Sequence, residues 1–100
     1  MSTSLYTPDG RVKTITPANG KRWTLAELQG FVGGYIEVVG TVDSRWMVIN
    51  EHGKILNPPL ELNIPATRLY IHGRSDVILG PAVVVDTLEE FNEPDDEEIA

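Results

Sequence analysis

Cysteine is absent from this 100-residue chain, which excludes disulfide staples, thiolate metal sites and a cysteine nucleophile. Histidine is scarce: His52 and His72 are the only two, and neither has a second histidine at i+2 or i+4. A structural zinc site needs four nitrogen or sulfur ligands, so no metal site is expected. The phosphate-cradling patterns Gly-x-Gly-x-x-Gly and Gly-x-x-x-x-Gly-Lys-Ser/Thr do not occur, and Gly30, Gly33 and Gly34 close a helical stretch instead of opening one. No Gly-x-Ser-x-Gly elbow is present either. No apolar run approaches the ~18 residues that span a membrane. The opening MSTSLYTPDGR lacks the apolar centre of a signal peptide. These absences predict a soluble protein, in the cytoplasm, with no cofactor.

Positive charge is also in short supply. Eight Lys and Arg stand against fifteen Asp and Glu, a formal charge of −7. The deficit is local. From Asp86 onward there are eight acids and no base, whereas residues 1–85 carry seven acids and eight bases, a net of +1. A near-neutral body offers no basic face, so duplex nucleic acid is not an expected ligand. The chain therefore divides into a flexible N-terminus over 1–10, a single domain over 11–86 and an acidic, disordered tail over 87–100.

What is present reads as local punctuation. Val12 to Ile15 alternates as a short strand, and Asn19-Gly20 is strong turn chemistry. Thr24 and Glu27 have capping-box spacing, and Trp23 and Leu28 stand at the positions of a hydrophobic staple. Leu25, Leu28 and Val32 recur at helical spacing with Phe31 beside them, and Gly33-Gly34 stops the helix. Tyr35 to Val39, Arg45 to Ile49 and Lys54 to Leu56 read as a three-stranded meander, in which Trp46 is expected in the core. Pro65 suits the first turn of a second, short helix. Val77 to Leu79 and Ala82 to Val85 read as two further strands. The predicted class is α+β: a small antiparallel sheet of about five to six short strands, a helix over 24–32 and a short helix over 64–71.

Candidate chemistry is sparse. His52 lies in a predicted turn and reads as a solvated residue. His72, Ser75 and Asp76 are close in sequence, but triads assemble from separate elements, so a polar loop is the plainer reading. Glu37, Asp43 and Glu61 are too dispersed to nominate as a carboxylate pair. One constellation stands out: Lys21, Arg22, Trp23 and Thr24 place two cations and an aromatic ring at a helix start. Free N–H groups and the helix dipole there favour an anion, and Trp23 could stack on a nucleobase. Asn63, Thr67 and Arg68 repeat the pattern more weakly around the start of the second helix. The competing reading makes Trp23 a staple and Thr24 a cap.

Several segments combine by order and spacing. They are Ile15-Thr16-Pro17-Ala18-Asn19-Gly20, the Thr-Leu-x-Glu-Leu-Gln of residues 24–29, and Val32-Gly33-Gly34-Tyr35-Ile36-Glu37. Met47-Val48-Ile49-Asn50-Glu51-x-Gly53-Lys54, Asn63-x-x-Ala66-Thr67-x-x-Tyr70 and Asp76-Val77-Ile78-Leu79-Gly80 follow. Over about residues 11–86 the chain resembles a small domain-of-unknown-function family of bacterial, phage and plasmid proteins. Residues 57–62 and the acidic tail depart from the family pattern. The resemblance carries over no catalytic residue and implies a mobile-element setting, where small proteins often antagonise host defence. The functional expectation is a non-enzymatic binding protein that sequesters a small anionic or nucleotide-like ligand through Lys21, Arg22, Trp23, Thr24, Thr67 and Arg68, as a homo-oligomer. The alternative is a protein-interaction module that captures a host protein through residues 87–100.

Overall fold

The computed structural model describes residues 3–91. Five strands form one antiparallel sheet: β1 (Thr3–Tyr6), β2 (Val12–Ile15), β3 (Ile36–Gly40), β4 (Trp46–Asn50) and β5 (Ala82–Val85), in the spatial order β2-β1-β5-β4-β3. Helix α1 (Leu25–Val32) follows β2, and the shorter α2 (Ile64–Leu69) lies between β4 and β5. The α+β class, the small antiparallel sheet and both helices are as the sequence predicts.

Side-chain alternation along each strand gives the sheet two faces. Val48, Val83 and Val85 pack with Leu28 and Val32 of α1 and with Trp23. Met47, Ala82 and Val84 pack on the opposite face with Ala66 of α2 and with Ile78. The central strand β5 is therefore buried on both sides and reads Ala-Val-Val-Val without a polar residue. The two helices cover opposite faces.

Several expectations are corrected. Thr3–Tyr6 is no frayed end: β1 pairs with β2 on one side and β5 on the other. Lys54 to Leu56 is turn, because the N–H groups of Ile55 and Leu56 both donate back to the His52 carbonyl. Val77 to Leu79 makes one isolated β-bridge, Leu62–Leu79, and its Ile78 bonds go to Asn63 and Thr67 around the start of α2, so it adds no strand. Trp46 is 37% exposed and Leu25 56% exposed, which leaves Leu28 and Val32 as the core face of α1. Helix α2 stops at Leu69, since Tyr70 turns extended and bridges to Thr41. At the C-terminal side, Leu88–Glu90 forms a 3-10 turn and Glu90 is buried, so the expected disordered tail does not begin at residue 87. The remainder of that tail lies outside the described residues.

Candidate functional site

The helix start at residues 21–24 comes first. Thr24 caps α1 by accepting from the Glu27 N–H at 3.1 Å, while Glu27 Oε1 accepts from the Thr24 N–H at 2.9 Å. Glu27 Oε2 accepts from the Ala18 N–H at 2.8 Å. The positive end of α1 already holds an anion, the chain's own carboxylate. Trp23 is 2% exposed, lies edge-on to Phe31 at 5.5 Å and donates from Nε1 to Thr3 Oγ1 at 3.1 Å. A ring so enclosed has no face for a nucleobase. The staple-and-cap reading accounts for both residues, and only Lys21 and Arg22 remain exposed.

Thr67 is likewise committed. Its hydroxyl donates to the Asn63 carbonyl at 2.8 Å and accepts from the Ile78 N–H at 2.9 Å. Arg68 is exposed on α2. Since α1 and α2 cover opposite sheet faces, residues 21–24 and 67–68 do not form one site.

The Ala18 N–H, and after it the Thr24 N–H, hold the Glu27 carboxyl below the ordinary carboxylate value. A lowered folded value makes ionisation stabilising above the unfolded value, and that contribution is lost as pH falls through the folded one. Glu27→Gln should therefore flatten the acid limb of the melting temperature against pH. Equal slopes in variant and parent would contradict this.

A hollow of about 360 Å³ adjoins Lys21, lined also by Thr3, Thr14, Thr16, Trp23 and Glu90. Its buried polar groups satisfy one another. Thr3 Oγ1 donates to Glu90 Oε1 at 2.7 Å, and Glu90 Oε2 accepts from the Asp86 N–H at 2.9 Å. This is a structural latch between the two ends of the described chain.

A different cavity, of about 300 Å³, opens on the α2 face. Residues 37, 39 and 49 share that face by strand alternation, and the chain leaves β4 into the turn carrying Glu51, His52 and Lys54. Val39, Ile49 and Ile78 supply apolar wall, with Tyr70 and His52 beside them. His52 is half-buried and packs edge-on against Tyr35 at 6.2 Å, so it is more than a solvated turn residue. Gly53 is buried where a Cβ would stand 3.2 Å from the Leu79 carbonyl oxygen. That close approach lets the turn seat against residue 79 and carry Lys54 to Asp76, with which it forms an ion pair. Lys54, and after it the Val77 N–H, hold the Asp76 carboxyl below its ordinary value.

The His72–Ser75–Asp76 set adopts loop geometry. Ser75 Oγ faces the His72 carbonyl at 3.4 Å, and Asp76 turns to Lys54 and to its neighbour's N–H. Glu37, Glu51, His52, Lys54, Tyr70 and Asp76 come instead to one cavity, which sequence reasoning did not assemble. The available signal was parity: Glu37 interrupts an apolar strand on the same face as Val39, and Glu51 continues the face of Ile49.

Among the described residues no group of three or more His, Cys, Asp or Glu is placed to hold a metal ion. No described helix is long and apolar enough to cross a membrane. No curated protein matches the chain, and no solved structure matches it. A family model described as a domain of unknown function, DUF3846, matches residues 2–100, and the chain belongs to that family.

Proposed function

We propose that this chain is a non-enzymatic binding protein that sequesters a small ligand of about nucleoside size in the α2-face cavity. The observation that carries the reading is convergence. Two regions of the chain, the β3–β4 hairpin with Glu37 and Glu51 and the stretch from Tyr70 to Asp76 after α2, line one hollow of about 300 Å³ with an apolar wall and a few polar groups. That volume is at the lower end of the range for small-molecule sites. The same segments include those that carry the family resemblance most specifically, Gly-Gly-Tyr-Ile-Glu and Asn-Glu-x-Gly-Lys. Sequestration needs affinity and no bond-making. In the mobile-element setting that the resemblance implies, withdrawing a host signal would blunt a defence response.

The helix-start version of nucleotide binding loses its support, since Trp23 is buried and Glu27 fills the anion position. Capture through residues 87–100 has less support than the cavity, because Glu90 and Phe91 are engaged inside the fold.

The test is mass spectrometry of the purified protein, under native and then denaturing conditions. The expected result is a small-molecule mass of nucleoside size that travels with the native ion and is released on denaturation. The same spectrum reads the oligomer. A native ion of bare polypeptide mass, even after exposure to an extract of host small molecules, would contradict the proposal.

A further inference from the structure

The charge of the cavity wall specifies the ligand further, an inference that rests on the cavity being the binding site. The β3–β4 register sets Glu37 opposite Ile49 and Tyr35 beside Glu51, so the two carboxylates are diagonal neighbours on one face. Backbone positions so related are roughly 7–8 Å apart, within reach of a single bound group. Neither carboxylate has a hydrogen bond or ion pair among the described residues. Both are exposed to solvent along the cavity wall. The lysine of that wall, Lys54, is engaged by Asp76. An incoming anion would have to break that pair while approaching two uncompensated acids. A cation meets them directly, and its apolar body can lie on Val39, Ile49 and Ile78.

We infer that the cavity takes a ligand with a flat or apolar body and a cationic, N–H-rich end, an amidinium, guanidinium or ammonium group, seated between Glu37 and Glu51. Carboxylates and such donors form charge-assisted bonds of matched geometry. The acids also act against anionic competitors, so one wall provides both affinity and rejection. A nucleoside-sized aromatic amidine and a free guanidino compound share this chemistry.

Three isosteric probes test it: benzamidinium, neutral benzamide and anionic benzoate, each titrated into the full chain and followed by amide chemical shifts. Benzamidinium should shift the amides of Glu37, Ile49 to Lys54 and Val77 to Leu79, and should bind at least about ten-fold more tightly than benzamide. Benzoate should leave these amides in place. Glu37→Gln with Glu51→Gln should remove that advantage without moving the melting temperature. If benzamide or benzoate binds there as well as benzamidinium, the charge assignment is overturned while the cavity stands. If none of the three probes moves a cavity amide, the cavity is not the site and the class falls with it. Ion-mobility or small-angle scattering on the double variant confirms that any loss is not unfolding.

Discussion

Trp23→Ala should lower folding stability by about 3–5 kcal/mol, the range for truncating a buried tryptophan. On a domain of this size that is on the order of a 20 °C fall in melting temperature. Three separate losses combine. The indole leaves the cluster formed by Leu28, Val32, Val48, Val83 and Val85, and its edge contact with Phe31 disappears. Its Nε1–H is the donor to Thr3 Oγ1, whose own hydroxyl holds the buried Glu90 carboxylate. The Trp23 backbone N–H also donates to the Glu90 carbonyl at 2.7 Å, a bond that alanine can keep. Trp23→Phe should therefore recover much of the apolar term and leave the Thr3–Glu90 pair one donor short. The outcome also separates two readings of the residue. A Trp23→Ala protein with an unchanged melting temperature would mean that the ring is a ligand platform and that the core described above is wrong.

Asn63→Ala should be comparably costly, at about 3 kcal/mol or more, from one lost cap and two buried carbonyls that lose their donor. Asn63 is fully buried and uses both ends of its amide. Its Oδ1 accepts from the Ala66 N–H at 3.1 Å, which caps α2, and such caps are worth about 1 kcal/mol. Its Nδ2 donates to the Tyr6 carbonyl at 3.0 Å and to the Gly80 carbonyl at 2.8 Å. Those bonds tie α2 to the end of β1 and to the residues that lead into β5. Alanine would leave both carbonyls without that partner in the interior, where each unsatisfied group costs about 1–3 kcal/mol. Asn63→Asp sharpens the prediction. Aspartate keeps the cap acceptor but cannot donate to either carbonyl, so denaturant unfolding should rank it close to alanine. A mild aspartate variant would mean that capping alone explains Asn63.

How much of this was legible follows from how local each cause is. The capping box of Thr24 and Glu27 lies within four residues, and the structure has it as the sequence implies, with Gly33 left-handed at the helix end. The Asn63 cap and Pro65 in the first turn of α2 are local in the same way. The N-terminal strand was not legible. Thr-Ser-Leu-Tyr is short and half polar, and it becomes a strand because residues 12–15 and 82–84 offer backbone partners on either side. Lys54 to Leu56 shows the converse: apolar residues with strand-like composition are held in turn by bonds to His52.

The cavity was the least legible feature. Its carboxylates are fourteen residues apart in numbering, at 37 and 51, and only the β3–β4 register brings them to one face. Asp76 and Tyr70 arrive from a loop and from the end of a helix, with positions set by Gly53 packing on residue 79 and by the Thr41–Tyr70 bridge. Conversely, the Lys21–Thr24 segment looked like a site because its residue types suit an anion. The capping box already placed Glu27 at the Thr24 amide, and what the sequence did not reveal was that its second oxygen would also reach the Ala18 amide and fill that position.

If the α2-face cavity holds the ligand, filling the cavity with a side chain should expel it. Val39 is half-buried on the cavity wall, and Val39→Trp would occupy much of a space of about 300 Å³. Native mass spectra of the parent and this variant, prepared identically and matched for melting temperature, should show the retained small-molecule mass in the parent and none in the variant. Retention of that mass at equal occupancy in Val39→Trp would contradict the claim and place the ligand elsewhere on the protein.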